Sequence, residues 1–199
     1  MPPAPPTSPM PYDPRCTCLP GNYAKDCPVG DEHGNHATSP VDAGQWPIVD
    51  SFSGKFRFLS NFWPYERDAQ VGPEIQVAYD GRLYPTSEHA FVAAKTLDPD
   101  LRAWATAVSH PGSARTRGQQ VPLRPDWDAV KVAIMWSIVM DKFCRNPDLR
   151  RALLSTGTTS LFEGNTWGDR FWGVVNGEGR NELGKVLMSV RSFLSGEVQ

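Results

Sequence analysis

The stretch YPTSEHAFVAAK, Tyr84 to Lys95, carries one acid and one terminal amine among alanines and a phenylalanine. Pro85 pushes Tyr84 into an extended conformation. Thr86 or Ser87 supplies an N-cap, so a helix is predicted to start there. On that helix Glu88, Phe91, Val92 and Lys95 share one face, while Ala90, Ala93 and Ala94 fall mostly on the other. Glu88 and Lys95 then lie two turns apart, roughly 10 Å along the axis. That gap exceeds an i,i+4 ion pair and suits an acid and an amine flanking a small ligand. The same residues also satisfy the helix dipole, acid in the first turn and lysine in the last, with Phe91 and Val92 as core. Taken alone, the stretch favours that structural reading.

Two other regions concentrate functional side chains: Arg57 to Phe62, and Glu163 to Asn181. Loops rich in Trp, Asn, Asp and Gly often carry function. In GEGRNELG the backbone N–H groups before a helix would suit a phosphate, though a glycine there also serves a plain turn. Arg115 and Arg124, on either side of Gly118, suit a diphosphate or stand as surface arginines, and the surface role is preferred without further support. Trp127 reads either as a staple at a helix start or as a ring stacked on a ligand base. The four histidines form no recognisable metal set, and GxSxG, P-loop and HExxH motifs are absent. Cys144, in an apolar helical segment, is expected to be buried and not a nucleophile. Cys16, Cys18, Cys27, His33 and His36 supply five ligand types at a spacing that matches no standard zinc module. An irregular arm is the favoured reading there and a zinc knuckle the alternative.

These side chains need a scaffold. At 199 residues the chain suits one domain with a real core. The net charge is −2 and no polybasic run occurs, which argues against non-specific duplex binding. No apolar run reaches membrane-spanning length and no secretory signal is visible, so a soluble, cytoplasmic protein is expected. Residues 1–43, rich in Pro and Gly, are read as an arm, and 44–199 as the domain. Alternating aromatics predict a strand over Phe52 to Phe58, ending in a Ser60-Asn61 turn. Asp80-Gly81 predicts a hairpin. Helices are predicted over Ser87–Thr96, Pro99–Val108, Pro111–Gly118, Pro125–Asn146, Asp148–Leu154 and a C-terminal stretch from Asn181. The helix over Pro125–Asn146 is apolar on several faces and is expected at the centre of the core. The layout is α+β, helices packed around a small sheet.

Five blocks occur in one order: FLSNFWP (Phe58–Pro64), YPTSEHAFVAAK, AR..G..V.LR.DW (Ala114–Trp127), KF..NP.L...LL.TG (Lys142–Gly157) and GRNELGKVLMSVR (Gly179–Arg191). Together they resemble the NADAR family, NAD- and ADP-ribose-associated, over roughly Phe52 to Leu194. The resemblance implies a compact α+β N-glycosidase that needs no metal or other cofactor. Its members look like they hydrolyse ribosylamino-pyrimidine phosphates of riboflavin synthesis, or remove ADP-ribose from guanine in nucleic acid, reversing a toxin-type modification. Both substrates are ribosides of an exocyclic amine. Such a sugar can open to an imine that a lysine exchanges with, and Lys95 is the candidate. Glu88, with Asp169 second, would move the protons. In a plainer route the carboxylates activate water and Lys95 only pairs charge.

Carried over by motif, Ser60, Asn61 and Phe62 should shape the ribose end, Trp127 stack on a base, Arg115 and Arg124 neutralise phosphate, and Asn181 and Gly184 line the floor. Trp172 and Gly173 match the family's tryptophan-glycine pair. Arg57, Tyr84, Ser87, His89 and Gly118 complete the expected substrate-binding set. ADP-ribosylated guanine is the favoured substrate, since no riboflavin-synthesis domain is fused to these blocks; a riboflavin intermediate, or non-catalytic ADP-ribose capture, are the alternatives. The low charge favours a single-stranded or extruded nucleotide over duplex tracking.

Overall fold

The structure is a computed structural model, described here for residues 48–67 and 69–196. The arm at 1–43 and its cysteine and histidine set lie outside these residues, as do the first residues assigned to the domain. Among the described residues the elements are β1 (Ile48–Val49), a 3₁₀ helix (Gly54–Leu59), β2 (Tyr65–Glu66), β3 (Ala69–Gln70), β4 (Val77–Tyr79), β5 (Arg82–Tyr84), α1 (Ser87–Ala94), α2 (Pro99–Thr106), α3 (Pro111–Gly118), α4 (Trp127–Arg145), α5 (Pro147–Leu154), β6 (Ser160–Leu161) and α6 (Glu182–Ser195). The α+β expectation holds. Among the described residues the strands form three two-stranded ribbons, with β1 and β6 parallel and the other two pairs antiparallel. The predicted hairpin is β4–β5, which pairs Val77 with Tyr84. Asp80 (φ 49°) and Gly81 (φ 72°) turn it in the left-handed conformation that two-residue hairpin loops require.

The Phe52–Phe58 stretch is not a strand. Gly54 at φ 52° starts a 3₁₀ turn, with Phe56 N–H donating to Ser53 O (3.0 Å) and Ser60 N–H to Arg57 O (3.0 Å). Side chains three apart then share a face, and the aromatic alternation is fortuitous. Leu59 is buried while Phe56 and Phe58 pack at the core's edge.

The most buried helix is α1, not the long α4. Ala90, Val92, Ala93 and Ala94 are fully buried, and α1 packs on α2, α3, α4 and β4. Its small side chains allow that close approach from several sides. At Gly118, on α3, an added Cβ would stand 2.8 Å from Val92 Cγ2 and 2.9 Å from Cγ1. The cap is Thr86, whose Oγ1 accepts from His89 N–H at 3.2 Å. By contrast α4 buries one stripe, including Met135, Ile138, Val139 and Phe143, and leaves its other face outward. Cys144 lies on that outer side and is exposed, contrary to expectation; partial burial by its neighbours still raises its thiol pKa, which disfavours the thiolate. No helix among the described residues is long and apolar enough to cross a membrane.

Candidate active site

A cavity of about 480 Å³ opens where α1, α3, the 3₁₀ segment and the 163–172 loop meet, within the range of small-molecule sites. The first helix contributes Glu88, Phe91 and Lys95. The 3₁₀ segment and the loop after it contribute Arg57, Ser60, Asn61 and Phe62. Arg115 and Gln119 come from α3 and its C-terminal end, and the loop supplies Glu163, Trp167, Asp169 and Trp172. Glu88 and Lys95 therefore do face one space, as their spacing predicts.

Burial at this pair works against the charged forms. Burial raises the Glu88 carboxyl pKa, Arg115 and Lys95 oppose the rise, and Asp169 adds to it. Burial lowers the Lys95 ammonium pKa, Glu88 opposes that, and Arg115 reinforces it. Lys95 Nζ donates to Gly118 O at 3.3 Å, which ties the amine to the end of α3. A carboxyl with a raised pKa beside an amine with a lowered one is suited to proton transfer and to nucleophilic attack.

The 3₁₀ segment is held from beneath by Lys142. Its ammonium is buried and donates to Phe58 O (2.6 Å) and Ser60 O (2.9 Å). Burial, then the nearby Arg57, lower its pKa to about 7. Arg57 in turn donates to Tyr65 O at 2.6 Å. Ser60 Oγ accepts from Phe62 N–H at 3.1 Å, and Asn61 O accepts from Glu88 N–H at 3.0 Å. These bonds fix the loop's edge against the start of α1.

Asp169 Oδ1 accepts from Phe171 N–H (3.0 Å) and Trp172 N–H (2.9 Å), so that oxygen organises the loop. Trp172 stands edge-on to Phe91, centroids 5.2 Å apart. Behind Phe91 lies Trp127, at 5.0 Å.

Nine of the expected site residues line the cavity: Glu88, Lys95, Asp169, Arg57, Ser60, Asn61, Phe62, Arg115 and Trp172. Nine do not. Trp127 is buried behind Phe91, so the ring expected to stack on a base packs the core. Arg124 is turned to Asp126, with bonds of 2.6 and 2.9 Å. Tyr84 and Ser87 are buried in the core. His89 is buried with Nε2 at 3.0 Å from Val108 O and Nδ1 at 2.8 Å from Thr86 Oγ1, and burial lowers its pKa. Gly118 makes room for Val92. Asn181, Gly173 and Gly184 sit behind the cavity wall against the backbone of Leu161 to Glu163.

Sequence reasoning missed Glu163 as a named candidate, together with Gln119, Phe91 and Trp167. Glu163 lay inside a region already singled out, but nothing in its neighbours marks it apart from Glu178 or Glu182. Burial pushes its carboxyl up to about 7. Among the described residues no three His, Cys, Asp or Glu side chains are grouped to hold a metal.

The NADAR domain model matches residues 50–195. The chain belongs to the NADAR family. It is similar to N-glycosidase YbiA of Escherichia coli, 39% identical over 150 residues that cover 73% of this chain and 86% of the relative. N-glycosidase Npun_R5314 of Nostoc punctiforme is 39% identical over 141 residues, covering 67% and 82%. Riboflavin biosynthesis protein VVA0006 of Vibrio vulnificus is 36% identical over 140 residues, which span 69% of this chain but only 35% of that longer protein. The NMR structure of the E. coli protein YbiA superposes with a TM-score of 0.64 at 33% identity, over 77% of this chain and 88% of YbiA.

Proposed function

We propose that this cavity hydrolyses the bond between a ribose C1′ and an exocyclic amine, and that its substrate is ADP-ribose attached to guanine in nucleic acid. The observation that carries this reading is the meeting of Glu88 and Lys95 in one cavity with Arg115 beside them. The N-glycosidase names of the similar proteins support the bond type. Glu88 protonates the ring oxygen as C1′–O4′ opens, leaving the amine joined to C1′ as an iminium. The neutral Lys95 amine adds to C1′, the base nitrogen leaves with a proton, and the sugar is held as a Schiff base. Water adds to that carbon and returns the free lysine and the sugar. The net change is one water consumed per bond broken. Arg57 and Arg115 supply the positive charge a diphosphate needs, while a net charge of −2 leaves little general attraction to duplex. The modified guanine is therefore taken from a single strand or after extrusion.

The direct test is an oligonucleotide with ADP-ribosylated guanine: release of ADP-ribose and unmodified guanine by the folded protein is expected, and intact substrate contradicts the reading. A second substrate is favoured by the likeness to the riboflavin biosynthesis protein. Release of ribose 5-phosphate from a ribosylamino-pyrimidine phosphate, with the nucleic acid left untouched, selects that alternative.

A further inference from the structure

Three motif residues that fail to reach the cavity converge on one point behind it. Asn181 Oδ1 accepts from Glu163 N–H at 3.0 Å, and its Nδ2 donates to Leu161 O at 2.9 Å. To do so Asn181 adopts a left-handed conformation, φ 54° and ψ 40°, uncommon for a residue other than glycine. A Cβ at Gly173 would collide with Glu163 O, and one at Gly184 with Leu161 O. The backbone is thus held at both Leu161 and Glu163. The side chain that this grip aims at the cavity is Glu163. Its Oε2 is buried and lacks a hydrogen-bond partner, an unfavourable state unless a ligand completes it. So strict a clamp around an incompletely satisfied carboxyl is hard to explain by packing alone.

We propose that Glu163 is a second proton-transferring catalytic residue of this cavity, held in place by Asn181, Gly173 and Gly184. The assignment rests on the N-glycosidase reading and deepens it. As the Schiff base forms, the Glu163 carboxyl gives its proton to the departing amine nitrogen and becomes a carboxylate, while the Lys95 nitrogen, cationic after adding to C1′, sheds a proton to the Glu88 carboxylate and so restores that acid. When water then adds at C1′, the carboxylate takes one of its protons, so the acid is restored and no other reactant is needed. Glu88 keeps the separate task at the ring oxygen.

Burial is the largest influence on this carboxyl and raises its pKa to about 7; Arg57, Arg115 and Lys142 pull it down, and Asp169 pushes it up. Those four come from the 3₁₀ segment, α3, α4 and the loop. The required acid form is present below about pH 7 and is lost above it, so kcat/KM should carry an alkaline limb there. Lys142 loses its proton in the same range, and the variants separate the two.

The test compares wild type, Glu163→Gln and Glu163→Asp on the ADP-ribosyl-guanine oligonucleotide and the ribosylamino-pyrimidine phosphate, then on a riboside of a nitro-substituted aniline whose nitrogen departs with little need for a proton. Glu163→Gln should lose about 10²-fold or more in kcat, with KM and melting temperature little changed and the limb near pH 7 gone. Glu163→Asp should recover part of the rate. The nitroaniline riboside should shrink the Gln defect at least tenfold but leave a Glu88→Gln defect in place. Wild-type turnover with Glu163→Gln within threefold of it, or with the limb intact, overturns the Glu163 assignment alone. A wild type that releases sugar from none of these ribosides overturns the N-glycosidase reading, and the assignment with it.

Discussion

Replacing Lys142 by Met removes a buried ammonium and keeps much of its volume. In the folded chain the ammonium is held near pKa 7 against a reference of 10.5. Between those values the unfolded chain carries a proton at this site that the folded chain lacks, so this group makes stability rise with pH. Below both values the full mismatch is paid in the folded state, about 4–5 kcal/mol at 1.36 kcal/mol per unit. At pH 7 nearly all of that cost remains; at pH 9.5 only about 1–2 kcal/mol is left. The substitution also strips donors from Phe58 O and Ser60 O, at a cost of about 1–3 kcal/mol each, which makes the net effect at pH 7 a small difference of large quantities. The pH dependence is cleaner. In urea unfolding at pH 7 and pH 9.5, the stability of wild type minus that of Lys142→Met should rise by about 3 kcal/mol, because other groups cancel in the subtraction. Parallel stability profiles for the two proteins would refute the inference that Lys142 is buried with a depressed pKa.

Further expectations concern single residues. Arg115→Ala should raise KM for ADP-ribosylated substrate about tenfold or more, whereas Arg124→Ala, whose partner is Asp126, should change KM less than twofold; equal effects in a steady-state assay would contradict the placement. Gly118→Ala should lower stability by about 1–3 kcal/mol through overpacking against Val92, and a melting temperature equal to wild type would show that α1 and α3 can separate at no cost. Borohydride added during turnover should leave a sugar adduct on Lys95, seen by mass mapping; turnover with no adduct would favour direct attack by water.

Local chemistry made much of the scaffold legible. The prolines at the starts of α2, α3 and α5, the Asp80-Gly81 turn and the amphipathic end helix are short-range signals. The 3₁₀ segment was misread because alternation cannot distinguish a strand from a run with only Leu59 buried. Central burial fell to α1 and not α4, because hydropathy counts apolar residues and does not register how closely alanines let neighbours approach. At the site, side chains on α1 and the Arg57–Phe62 loop were readable from spacing and motif. The roles of Asn181, Gly173 and Gly184 were not, since their contacts join residues 161–163 to partners ten or more positions away. Trp127 shows the converse: a motif residue next to the cavity whose ring packs behind Phe91.

The decisive measurement is a crystal structure of the Glu88→Gln variant with ADP-ribosylated guanosine bound. Its anomeric carbon should lie between the side chain at position 88 and Lys95 Nζ, with the diphosphate against Arg115. A sugar bound outside this cavity, or one whose C1′ points away from both side chains, would contradict the proposed chemistry.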